Sequence, residues 1–308
     1  MPPEASRDDL RTLVAAELAV PIDPAAADFA AHVATILPGT NAVLFYGSCL
    51  REARLDGLML DFYVIVDDYT QSYGDWRARA NRLIPPNVFQ IAHDGLRAKY
   101  AVLSSADLAR LCSSATSNPS VWARFAQPSR LAWVRDDDAR NAAIAAVAGA
   151  APALLAAAAP MLPPVLSVEA LWTGAFALTF GAELRTERAG RGNSIVAADP
   201  ARYAAFTAPA LAAAGLAATV DGDRVEIAGG DRAAAPAAWA RRRRAGKALS
   251  AARLAKAAFT FDGGLDYLAW KIQRHAGVPV PVSAWMRRWP LLGGIALLPR
   301  LLARGAVR

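Results

Sequence analysis

The chain has 308 residues, enough for one large domain or two modest ones. Its net charge of +7 and isoelectric point near 9.8 favour anionic partners such as nucleoside triphosphates, nucleic acid or acidic lipid. The two cysteines, Cys49 and Cys112, fit no metal-ligand spacing and exclude a disulfide framework, so a reducing cytoplasm is expected.

Hydrophobic residues make up 55% of the chain and mean hydropathy is +0.21. Alanine supplies much of that excess, which argues for helix more than for membrane burial. The opening residues, MPPEASRDDL, carry acidic groups and no apolar core, so no secretory leader is expected. Two helices are predicted over 8–37, separated by Pro21 and Pro24, buttressing a central sheet. An apolar run from Val43 to Tyr46 reads as a strand and ends in Gly47-Ser48. A second run, Met59 to Val66, reads as a strand with one carboxylate, Asp61, near its start. Asp67 and Asp68 follow as turn or helix-cap residues. Tyr73 to Leu83 is predicted helical, Leu96 to Leu103 a strand, and Ser104 to Asp107 the start of a short helix. Together these suggest an α+β domain over 1–140, with a mixed sheet and flanking helices.

The uncharged stretch from Asn141 to Val168 is mostly alanine, broken by Pro152, Pro160, Pro163 and Pro164. It reads as a buried helix followed by a proline-rich turn rather than a membrane span. A helix-rich second domain is expected over 141–240. It contains a helix from Ser167 to Phe180 and a hairpin over 218–227 around Asp221-Gly222, compatible with a winged-helix-like unit. A basic C-terminal part, 241–308, opens with Arg241 to Arg244 and continues in helices over 246–260 and 262–274. In the final segment, Trp285 and Trp289 beside Arg287 and Arg288 flank a short apolar run. That pattern suits a membrane interface; the competing reading is a helix docked on the protein's own core.

The chemistry centres on the first two strands. A strand ending in Gly-Ser, followed by a strand bearing a carboxylate, is the active-site plan of the nucleotidyltransferase superfamily. Gly47 lets the backbone approach a triphosphate, Ser48 offers a hydroxyl and an N–H to phosphate oxygens, and Asp61 holds Mg²⁺ against them. The usual plan has a second carboxylate two residues on, sharing a strand face. Here that position is Tyr63.

The assembled pattern resembles the mitochondrial-type phosphatidate cytidylyltransferases, the translocator assembly and maintenance family that makes CDP-diacylglycerol. The resemblance rests on FYGSCL (45–50), MLDFYVIVDD (59–68), Asn81 with PPN (85–87), LRAKYAVLSSADL (96–108) and TFGAELRTE (179–187). It spans roughly residues 40–205 and departs at Cys49, at Val88-Phe89 and at Glu183. It implies cytidylyl transfer from CTP to phosphatidate, with Mg²⁺ on Asp61. It further implies nucleotide binding by Tyr46, Gly47, Ser48 and Lys99, and catalytic roles for Asp61, Lys99, Glu183 and Arg185. Glu183 and Arg185 lie two apart and would diverge by about 200° on a helix, so they share a site only where the backbone is irregular. The implied setting is cytoplasmic, peripheral to the inner face of the membrane, on an anionic surface.

Two rival readings remain: transfer to a soluble hydroxyl acceptor, and a catalytically silent member that binds lipid or protein. His93 and His275 are isolated in the sequence. No aromatic residue interleaves the arginine run, so nucleic acid is not an expected partner.

Overall fold

A computed structural model describes residues 4–52, 54–55, 58–74, 76–182, 191–228 and 231–260, together with residues 283 and 285. Helices α1 (Glu4–Leu18) and α2 (Pro24–Ile36) precede β1 (Thr40–Tyr46), a short α3 (Ser48–Glu52) and β2 (Leu60–Val66). Then come α4 (Tyr69–Tyr73), α5 (Trp76–Leu83), β3 (Asn87–His93), β4 (Leu96–Ser104), α6 (Ser105–Leu111), α7 (Trp122–Phe125) and β5 (Ser129–Val134). The second half holds α8 (Asp137–Ala148), α9 (Ala150–Ala158), β6 (Val165–Ser167), α10 (Val168–Phe180), α11 (Arg191–Ala197) and α12 (Pro200–Ala213). It ends in β7 (Ala217–Asp221), β8 (Arg224–Ala228) and α13 (Ala235–Thr260).

Helix starts follow local capping chemistry. Asp23, Asp68, Ser104, Asp136, Ser167 and Asp199 each accept a backbone N–H two or three residues on, satisfying a donor that the first helical turn leaves open. Asp68 thereby takes the cap role expected of it.

The fold is mixed α+β, with a five-stranded sheet in the order β3-β4-β2-β1-β5 flanked by helices. The β2–β4 pair is parallel and the others are antiparallel. Alternation along the strands gives the sheet two buried faces. One carries Leu44, Tyr46, Tyr63, Ile65, Ala101 and Leu103 into a cluster with Leu10, Phe125, Leu154, Trp172, Tyr203 and Trp239. The other carries Phe45, Phe62, Val64, Tyr100 and Val102 against Phe29 and Val33 of α2. The first cluster draws on residues from both sides of residue 140.

Several elements differ from expectation. β3 and β5 complete the sheet at its two edges, where the sequence suggested no strands. The helix expected over 73–83 starts three residues later as α5, and a short α4 that the sequence did not suggest precedes it, closed by Gly74 in the left-handed region. The hairpin of β7 and β8 forms and gains β6 as a third strand. The helix expected over 246–260 begins earlier, so the arginine run lies inside α13, where Arg242 stacks 5.3 Å from the Trp239 ring centroid. The uncharged stretch becomes α8 and α9. Residues 137–161 are long and apolar enough to cross a membrane, yet most of that run is buried in the first cluster, as in a core helix. The expected helix over 262–274, His275 and nearly all of the C-terminal segment lie outside the described residues.

Two polar bridges hold β4 against its neighbours. Asn81 of α5, fully buried, donates from Nδ2 to the Val102 carbonyl at 3.0 Å and accepts the Asn87 N–H at 2.5 Å. Tyr69 donates to Asp107 at 2.6 Å and accepts the Ser104 N–H at 2.9 Å. Burial, then the Asp107 carboxylate, pushes the Tyr69 hydroxyl well above its usual pKa, so it remains a donor. Replacing Asn81 leaves a buried donor and acceptor without partners. Asn81→Ala is expected to destabilise the fold by about 2–4 kcal/mol in urea unfolding, with an unchanged far-ultraviolet spectrum at low denaturant.

Candidate active site

The candidate site lies on the first face of the sheet, where β1 ends and β2 and β4 begin. The parallel register sets Asp61 of β2 beside Lys99 of β4, and the antiparallel register sets Tyr46 of β1 opposite Asp61. Lys99 Nζ is 2.8 Å from Asp61 Oδ1; the side chains are 34% and 21% exposed, so both charges sit at the rim of the core, open to a ligand. A lysine in the middle of a strand between apolar residues is explained by this carboxylate. Asp61 Oδ1 is shielded from solvent and receives no hydrogen bond of good geometry, so the nearby ammonium compensates it mainly through charge.

Gly47 closes the site from above. Its φ is +98°, and a Cβ there would stand 2.8 Å from Asp61 Oδ2 and 3.3 Å from the Asp61 Cβ. Glycine is required twice, for the backbone conformation and for the close approach of the carboxylate. Ser48 opens α3 directly after this turn and is partly buried. Cys49, one residue on, points inward and donates to the Met59 carbonyl at 3.4 Å. Burial, and then the Asp61 charge, raise its thiol pKa, so it stays a neutral packing group.

Tyr63 is not positioned as a ligand. Its ring packs 5.3 Å from Tyr46 and 5.2 Å from Phe125, and it is 3% exposed. A carboxylate at this position would be buried among aromatic rings. Among the described residues, no group of three metal-ligating side chains includes Asp61. Among the described residues, the carboxylate that would hold a divalent cation here is Asp61. Of its two oxygens, Oδ2 beside Gly47 suits an oxygen-seeking ion such as Mg²⁺, since Oδ1 is shielded and paired with the Lys99 ammonium. Tyr46 lines the same edge with its ring in the core, and the Arg124 guanidinium lies 5.8 Å from its centroid. Nothing in the sequence marks Arg124; it reaches the site because α7 packs across the Tyr46–Tyr63 pair.

The structure therefore brings Tyr46, Gly47, Ser48, Asp61 and Lys99 to one edge of the sheet. Glu183 and Arg185 lie outside the described residues. α10 ends just before them, and α13 passes so close that a Cβ on Gly246 would overlap the Ala182 carbonyl oxygen. Arg253 and Lys256, farther along α13, donate to the carbonyls of Pro85 and of Ile84 and Pro86, ahead of β3.

No protein-family model matches the chain, and no curated protein matches it.

Gly47→Ala is expected to lower stability by about 1–3 kcal/mol through its positive φ alone, with displacement of Asp61 added. Thermal unfolding beside a neutral glycine control such as Gly215→Ala, also at positive φ but with open space around it, separates the contact from the backbone term. Gly47→Ala should be the more damaging of the two.

Proposed function

We propose that the chain is a nucleotidyltransferase that moves a cytidylyl group from CTP to phosphatidate, giving CDP-diacylglycerol and pyrophosphate. The observation that carries this reading is the Asp61–Lys99 pair, 2.8 Å apart, beneath a glycine turn that cannot carry a side chain. A carboxylate and an ammonium at a Gly-Ser turn suit a metal-bound triphosphate, which presents cation and anion together. The choice of CTP and phosphatidate rests on the resemblance in the motifs over 40–205.

In this reading the Gly47–Ser48 backbone and the Ser48 hydroxyl bind the β- and γ-phosphates. Asp61 holds the cation, and Mg²⁺ bound there would neutralise charge on the triphosphate as pyrophosphate departs. Lys99, on the same edge, would offer its ammonium to phosphate oxygens. A phosphatidate oxygen forms the new bond to the α-phosphorus, and the bond from that phosphorus to the β-bridging oxygen breaks, so pyrophosphate leaves with the electron pair. The attacking oxygen is already ionised near neutral pH, so no strong general base is needed. Catalysis is positioning and charge neutralisation. The net charge of +7 suits work at an anionic cytoplasmic membrane face.

The buried Tyr63 supports one competing reading, a binding protein descended from such an enzyme. Pyrophosphate release with Mg²⁺ and each nucleoside triphosphate, with and without phosphatidate in micelles, separates the two. Release requiring both CTP and phosphatidate is expected, falling on the order of 10²–10³-fold in Asp61→Asn and in Lys99→Met. Lipid-independent release points to a soluble hydroxyl acceptor. No release from folded protein favours the binding reading.

A further inference from the structure

The second face of the sheet carries a separate cluster. His93, at the end of β3, directs Nε2 to Asp28 Oδ2 of α2 at 3.2 Å and to Asp94 Oδ2 at 3.7 Å. The three donor atoms all lie within 4.8 Å of one another. The imidazole is clamped from two sides: the His32 ring stacks on it at 4.0 Å and 5°, and the Phe29 ring meets it edge-on at 5.5 Å and 78°. Phe29 is fully buried, so one wall of the clamp belongs to the core. Asp94 holds φ of +44° in the turn before Gly95, which brings its carboxylate back beside the residue preceding it.

We propose that Asp28, His93 and Asp94 form a binding site for a borderline divalent transition ion, Zn²⁺ in particular, joining α2 to the β3–β4 turn. Ligands about 2.1 Å from a tetrahedral Zn²⁺ stand roughly 3.4 Å from each other. The two nitrogen–oxygen separations bracket that figure. One imidazole and two carboxylates suit Zn²⁺, Co²⁺ or Ni²⁺, whereas Mg²⁺ selects oxygen ligands alone. The donor set thus separates this site in chemistry from Asp61, and its place on the α2 face separates it in space. Asp28 and Asp94 are largely exposed, with side chains 68% and 82% accessible, which leaves an open path for the ion and a water in the fourth position. The ring clamp fixes the direction of Nε2 before any ion arrives, the task that neighbouring groups perform around established metal ligands.

A plain ion pair between a protonated His93 and the two carboxylates would show the same distances, and metal titration distinguishes the two. The full chain, stripped with chelator and dialysed, is titrated with ZnCl₂ by calorimetry, and with Co²⁺ by visible absorption. One equivalent is expected to bind saturably, and Co²⁺ should develop the d–d bands of a low-coordinate site. Asp28→Asn and Asp94→Asn, both at exposed side chains, should each weaken Zn²⁺ at least about tenfold, and His93→Gln should remove the Co²⁺ bands. Zn²⁺ should raise the wild-type Tm, and raise that of Asp28→Asn less at the same concentration. Asp61→Asn should bind Zn²⁺ as the wild type does, whatever the outcome of the nucleotide assays. Absence of saturable binding by folded wild type, or full affinity retained in Asp28→Asn and Asp94→Asn, overturns the proposal.

Discussion

The parallel pairing of β2 with β4 is the constraint on which the candidate site depends. Parallel neighbours need a long crossover, here α4, α5 and β3, and their register decides which side chains stand abreast. In the observed register Asp61 meets Lys99, and a slip of one residue would send either charge into the apolar cluster of the opposite face, among Phe62, Ala98 and Tyr100. The register is held far from the charges themselves. Tyr69 and Ser104 lock the distal ends of the two strands, and Asn81 ties α5 to both β3 and β4. Stability invested in those buried polar bridges becomes geometry at the other end of the sheet.

The same face shows why position 63, which shares a strand face with Asp61, carries an aromatic ring rather than a second carboxylate. Positions 61 and 63 share a face, but only the first reaches the edge where the helical cover stops. Tyr63 lies under α7, between Tyr46 and Phe125, in a cluster that excludes water. An ionised group there would lose its hydration to a surround of aromatic rings. The aromatic packing that supports Tyr46 thus leaves no place for a carboxylate at position 63.

The parts of this arrangement that were legible in the sequence are those written in consecutive residues. The β1 and β2 runs are apolar and bounded by turns, Gly47-Ser48 stands at a strand end, and Ser167 and the Asp221-Gly222 turn announce a helix and a hairpin. Lys99 could be picked out because a cation among apolar strand residues requires an anion, although the sequence does not say which. The edge strands were not legible. β3 follows two prolines and β5 carries Arg130, and each is a strand because a neighbour supplies its hydrogen bonds. His93 looked isolated because its companions are 65 and 61 residues away on α2, Asp28 with a hydrogen bond and His32 with a stacked ring. Arg124 was hidden for the same reason. Convergence across the fold leaves no local trace in spacing or composition.

The central claim is that a triphosphate with its metal occupies the edge formed by Gly47, Asp61 and Lys99. Hydrogen–deuterium exchange of the full chain, with and without Mg²⁺ and CTP, tests it without requiring turnover or lipid. Protection concentrated over 45–50, 59–62 and 98–100, dependent on Mg²⁺ and lost in Asp61→Asn, is the expected result. Protection confined to other segments, or protection of these that persists undiminished in Asp61→Asn, would contradict it.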